Sequence, residues 1–163
     1  MRKLLCLALV VAACAKEKPN VPPTPEQKYA GTWEGRSFRS PTDTGVAWAI
    51  TMKLDTAGKL SGSLAFTGTT QPPVPVRLLE LTDSTVLQDL GPYMSPTANA
   101  EVVTRTTGHI AGDSLWGTLV MLPTQGGVTA GLSAAEWSNY ETHPKKGAEP
   151  IRGTFAAKRK RTP

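Results

Sequence analysis

The sequence predicts an all-β fold: a small antiparallel up-and-down β-barrel of about eight strands, with one short helix inserted before the last strand. Three observations carry this. The stretch Val46–Leu54 alternates strictly, with Val46, Trp48, Ile50, Met52 and Leu54 on one face and Ala47, Ala49, Thr51 and Lys53 on the other. That period of two marks a strand buried on one side. Eight such segments follow one another, mostly across short turns. Finally, a glycine falls between two leucines in Leu60-Ser61-Gly62-Ser63-Leu64 and again in Leu115-Trp116-Gly117-Thr118-Leu119. Trp33 with Gly35, and Gly153 with Phe155, repeat half of that pattern. An inward glycine lets a strand coil sharply beside its neighbour, as a small closed sheet requires. An open sandwich is the competing arrangement.

The chain opens with Arg2 and Lys3, then an apolar run from Leu4 to Ala13, ended by Lys16, Glu17 and Lys18. A membrane-spanning helix needs about 20 apolar residues. This run is half that length, which suits the core of a secretory leader. Val11-Ala12-Ala13-Cys14 resembles the lipobox of bacterial lipoprotein precursors. The resemblance implies cleavage before Cys14, lipid on its sulfur, and acylation of the new amino group. Several acyl chains, each buried CH₂ contributing about 0.8 kcal/mol, hold a protein stably on a membrane. Ala15 after the cysteine, by analogy with enteric bacteria, favours the outer membrane facing the periplasm. Read instead as an ordinary small-x-small cleavage site, Ala13-Cys14-Ala15 would release a soluble protein.

The expected division is therefore a leader at 1–13, a lipidated cysteine and Pro-rich tether at 14–28, and a barrel at 29–163. About 150 residues after the leader suit one domain. Cys6 leaves with the leader and Cys14 carries lipid, so no disulfide is expected in the barrel. The net charge of +5 falls to about +3 without Arg2 and Lys3, a mild value that excludes a strongly basic module. With 15 glycines, 14 prolines and much Thr, Ser and Val, the chain favours short strands and turns. In the tether, Pro19, Pro22, Pro23 and Pro25 favour extended geometry of about 3.1 Å per residue.

The first strand is expected over Thr32–Phe38, broken by Ser40-Pro41-Thr42-Asp43. Val46–Leu54 turns at Asp55-Thr56-Ala57-Gly58 into a return strand carrying Leu60, Gly62, Leu64 and Phe66. After Pro72, Pro73 and Pro75, Val76–Leu81 and Thr85–Leu90 pair across Thr82-Asp83-Ser84. Gly91–Ala100, with two prolines, is expected as a loop. Glu101–Ile110 and Leu115–Leu122 form a hairpin at Ala111-Gly112-Asp113-Ser114, and the last strand runs from Arg152 to about Arg159. Between them, Ser133 and Glu136 have capping-box spacing and Leu132 and Trp137 have staple spacing, so a helix starts there and ends near Glu141. This insertion, Pro123–Pro150, is expected to cover the barrel mouth, present a contact surface, or plug one end.

Gly31-Thr32-Trp33 resembles the Gly-x-Trp signature of lipocalins and the wider calycin group. In that group the tryptophan closes one barrel end beneath an arginine from the last strand. The resemblance places Trp33 and Arg152 in those two positions. Leu81-Thr82-Asp83 is similar to the group's Thr-Asp motif, with Ser84 in place of its Tyr, and the group's helix follows the last strand rather than preceding it. The role implied is carriage of small apolar ligands.

Little else in the sequence carries chemistry. Two histidines, His109 and His143, give no metal-ligand spacing. Asp55, Asp83 and Asp113 fall in turns, where Asp caps backbone. There is no nucleophile elbow and no phosphate-cradling loop, and Glu101 and Arg105 suggest no site. Lys158-Arg159-Lys160-Arg161 reads as a solvated strand end, or as a patch for anionic headgroups; an exported protein meets no nucleic acid. No cofactor, metal or catalytic group is expected. Two functions fit. In one, the barrel binds a small apolar ligand, lined by Trp48, Ile50, Leu64, Leu119 and Phe155, with Trp137 and Tyr140 of the helix beside it. In the other, the domain docks without a ligand on an envelope protein or exported enzyme. A carrier of this kind requires an interior cavity of a few hundred Å³.

Overall fold

A computed structural model describes residues 21–161. The leader, Cys14 and the first part of the tether lie outside the described residues. Eight strands close into one antiparallel barrel in sequence order: β1 (Gly31–Phe38), β2 (Val46–Leu54), β3 (Leu60–Phe66), β4 (Val74–Leu81), β5 (Thr85–Met94), β6 (Glu101–Ala111), β7 (Ser114–Pro123) and β8 (Ile151–Arg159). β8 pairs back onto β1, with Trp33 opposite Arg159, so no edge strand is left. The alternation in β2 puts Trp48, Ile50 and Met52 inside, together with Trp33, Leu64, Leu90, Leu115, Leu119 and Phe155.

The glycine pattern has a steric cause. A Cβ at Gly35, Gly62, Gly117 or Gly153 would collide with the backbone carbonyl oxygen of Ala156, Thr51, Thr107 or Phe38 respectively. At these four positions a neighbouring strand's backbone occupies the place of a Cβ, and only a residue without a side chain admits that approach.

Three boundaries differ from expectation. β5 does not stop at Leu90 but continues to Met94. Its register against β6 shifts between Leu90 and Tyr93, so Gly91 and Pro92 sit in an irregularity where the missing proline N–H costs no ladder bond. β4 begins at Val74 and includes Pro75, which stands opposite Ser63 of β3 and lies before the β4–β5 ladder, which begins at Val76. The tether, in turn, is shorter than expected. Pro25–Tyr29 forms a helical turn, α1, with Thr24 and Gln27 in a reciprocal capping box. Tyr29 is fully buried, and its carbonyl accepts a 2.8 Å bond from the Trp33 indole. α1 thereby closes the end of the barrel at which the chain enters. The loops at 39–45, 67–73 and 95–100 surround the other end, the mouth.

α2 (Ala134–Thr142) starts at Ser133 with the expected capping box. It neither covers the mouth nor plugs the barrel. Trp137 packs with Val103, Leu122 and Val128 in a second apolar cluster on the outer wall. Val103 and Leu122 alternate with the inward residues of β6 and β7, so their side chains point outward and need a cover of their own.

Candidate functional site

The interior brings together five residues singled out from the sequence. Trp48, Ile50, Leu64, Leu119 and Phe155 line one cavity of about 40 Å³ near the middle of the barrel. The Trp48 and Phe155 rings meet edge to face, 6.1 Å apart. Toward the mouth the cavity ends at Phe66 and Tyr93, whose rings lie 5.3 Å apart. The same two residues line a second space of about 30 Å³ at the mouth, bordered by Phe38, Arg39, Asp43 and Met121. A preformed ligand pocket has roughly 300 Å³ or more, so the interior does not meet the volume expected of a carrier. The large aromatic side chains occupy the space.

One wall of the cavity is polar. Gln88 on β5 stands opposite Thr106 on β6, and Leu90 opposite Thr104. Gln88 is 2% exposed, and its carbonyl oxygen accepts a 2.7 Å bond from the Tyr29 hydroxyl. The hydroxyls of Tyr93 and Thr104 share a 2.7 Å bond. The hydroxyl of Thr106 is buried and has no hydrogen-bond partner among the described residues. Such a group is costly to bury unless something bonds it. Burial also pushes the Tyr29 and Tyr93 phenols above their ordinary range, against smaller lowering by their hydrogen bonds. Gln88, Thr104 and Thr106 were missed in the sequence because a polar residue inside a strand reveals its facing only once the register is known.

Trp137 and Tyr140 lie elsewhere. Trp137 stacks on Arg105, whose guanidinium carbon is 4.4 Å from the ring centroid, outside the barrel. Tyr140 donates a hydrogen bond to the Gly127 carbonyl in the same surface insertion. The outer face of the intervening strands keeps both residues from the interior. Arg105 itself forms a two-pronged ion pair with Asp89 at 2.8 and 3.0 Å and donates to the Leu132 carbonyl. Asp89, fully buried, also accepts from the Gly131 backbone N–H. This pair straps the long insertion onto the barrel wall.

The cation over Trp33 is Arg159, not Arg152. Its guanidinium carbon is 4.3 Å from the Trp33 ring centroid, and it donates to the carbonyls of Lys28 and Ala30. Arg152 lies seven residues away along β8, about 23 Å at strand rise, and pairs with Glu141 on the surface. The alternation Phe155, Ala157, Arg159 places Arg159 on the inward face, a signal concealed by the charge run around it. The rest of that run is engaged locally: Lys158 with Ser114, Lys160 with Glu34, and Arg161 with Asp113. That fits a solvated strand end.

Asp55 accepts backbone bonds from Ala57 and Lys59 in its turn, whereas Asp83 pairs with Lys28 and Asp113 with Arg159. His109 stacks beside the exposed Trp116 and His143 bonds to Thr142. Among the described residues, no cluster of three potential metal ligands occurs, and no helix is long and apolar enough to cross a membrane. No family model, curated protein or solved structure matches the chain.

Proposed function

We propose that this chain is a lipid-anchored protein of the bacterial cell envelope whose barrel binds a small, largely apolar ligand in its interior. The observation that carries the binding reading is the cavity at the barrel's centre, walled by Trp48, Ile50, Leu64, Leu119 and Phe155 and bordered on one side by Gln88, Thr104 and Thr106. The anchor reading rests on the lipobox-like Val11–Cys14 alone. The cavity's size limits the cargo: fatty-acid-sized ligands do not fit.

Native mass spectrometry of protein extracted in detergent tests both readings. The expected result is the mass of acyl chains on Cys14 together with a retained small molecule. A Cys14→Ser variant that stays with carbonate-washed envelope vesicles overturns the anchor.

The small cavity favours a second reading, in which the filled barrel docks on an envelope protein or exported enzyme. Cross-linking in intact cells separates the two. A reproducible protein partner, with no small molecule retained, replaces ligand binding by docking.

A further inference from the structure

On the outer wall near the closed end, one large aromatic side chain has no cover. Trp116 is 44% exposed, whereas Trp33, Trp48 and Trp137 are 5% exposed or less. Leu115 on β7 and Ile110 on β6 point into the core, so Trp116 and His109, each one residue away, point out. They stand opposite each other in the β6–β7 ladder, with ring centroids 5.9 Å apart. On its other side Trp116 meets only the small, exposed Ala156 of β8. The second apolar cluster covers these strands nearer the mouth, at Val103 and Leu122, and leaves Trp116 bare.

Beside this aromatic pair lies the basic run. Lys158 follows Ala156 on the outward face of β8, and its ammonium bonds the Ser114 hydroxyl, two residues from Trp116. The four cations from Lys158 to Arg161 meet two carboxylates, Glu34 and Asp113, which leaves positive charge in excess. Both carboxylates are exposed, as are Lys160 and Arg161. Exposed pairs of this kind are weak and leave the cations free to turn to an anionic surface.

An uncovered indole bordered by surplus positive charge matches the headgroup layer of an anionic bilayer. Indole settles at that level, with its ring toward the acyl chains and its N–H in the wet layer. Lys and Arg gain there from the negative surface potential. The anchor supplies proximity. Arg159, within the basic run, bonds the carbonyls of Lys28 and Ala30, so the run lies where α1 joins β1. Thr24, the cap of α1, is ten residues from Cys14, and ten residues of chain reach at most about 36 Å. A lipid on Cys14 keeps α1 within that distance of the bilayer.

Resting on the lipid-anchor reading above, we propose that the barrel lies against an anionic bilayer through Trp116, with His109, Lys158 and Arg161 around it, as a second contact beyond the acyl chains.

The test uses the full mature protein, extracted in detergent and reconstituted into vesicles of phosphatidylcholine and phosphatidylglycerol brominated on their acyl chains. Mass spectrometry of the same sample reads the acyl mass on Cys14. Bromine should quench the emission of Trp116 and spare the three buried tryptophans. Trp116→Phe should abolish the quenching and leave the far-UV spectrum unchanged. Quenching should fall several-fold in phosphatidylcholine alone, in about 0.5 M salt, and in Lys158→Gln/Arg161→Gln. Protein that carries the acyl mass and floats with the vesicles, yet shows no quenching, overturns the proposal and leaves the anchor standing. Quenching that survives Trp116→Phe assigns the contact to another face and overturns it as well. Equal quenching with and without phosphatidylglycerol overturns the part given to the cations. A dimer that Trp116→Phe dissociates, with no quenching, gives this face to a second copy and overturns the membrane contact. Protein with no acyl mass that stays out of the vesicle fraction overturns the anchor and the proposal together.

Discussion

Arg159 lies with its guanidinium carbon 4.3 Å from the centroid of the Trp33 ring, and Trp33 is fully buried beneath it. The same guanidinium bonds the carbonyls of Lys28 and Ala30, at the end of α1 and the start of β1. One side chain thus joins the last strand, the first strand and the helix that closes the barrel. Arg159→Leu should lower unfolding free energy by about 2–3 kcal/mol, from lost cation–π and charge-assisted bonds. Arg152→Leu, at a pair whose arginine is 61% exposed, should change it by about 0.5 kcal/mol or less. Urea midpoints of the two variants check this contrast; equal losses would contradict it.

The strap formed by Asp89 and Arg105 gives a second prediction. Arg105→Leu leaves the buried Asp89 carboxylate without its cation and should cost about 3–5 kcal/mol. The double variant Asp89→Leu/Arg105→Leu should recover part of that loss, since no charge then remains buried. Hydrogen exchange at the Gly131 amide, which bonds Asp89, should speed up in both.

Close strand approach makes Gly117 sensitive. Gly117→Ala puts a methyl group against the Thr107 carbonyl oxygen and should destabilise by about 3 kcal/mol, the upper range of overpacking. Gly58 lies in an open turn at φ +80° with nothing near a Cβ. Gly58→Ala should cost about 1 kcal/mol, the strain of the left-handed backbone alone. Thermal melts of the pair measure the difference.

The buried phenols predict an alkaline weakness. Desolvation raises the pKa of Tyr29 and Tyr93 in the folded state above the ordinary 10.0. The unfolded chain therefore loses these protons first as pH passes 10, and the folded state holds more protons. Stability contributed by these groups is intact below pH 10 and falls as pH rises from there toward the raised values. Tyr29→Phe should flatten this decline in a series of urea titrations from pH 9 upward; an unchanged slope would contradict it.

Much of the barrel was legible because its causes are local. The alternation in β2, the turns at Asp55–Gly58 and Ala111–Ser114, and the glycines at 35, 62, 117 and 153 each state a facing or a close approach within a few residues. The same period identified Trp48, Ile50, Leu64, Leu119 and Phe155 as inward. Trp137 and Tyr140 are expected beside the ligand cavity but lie on the outer wall, because a capping box marks where a helix starts, not which side of the sheet it covers. The resemblance places Arg152 over Trp33, whereas Arg159 stands there, because position in a strand says nothing of which residue on the next strand stands opposite.

The sequence by itself determined the fold class, the eight strands, the start of α2 and the apolar lining, since these follow from side-chain period, turn chemistry and the absence of a Cβ. Tertiary structure alone decided that β8 closes on β1 with Arg159 against Trp33, that Asp89 and Arg105 meet beneath α2, and that Gln88 and Thr106 stand side by side on one wall of a space of about 40 Å³. Each of these depends on strand register and on how large side chains share one enclosed volume. Both are set by contacts between residues far apart in the chain.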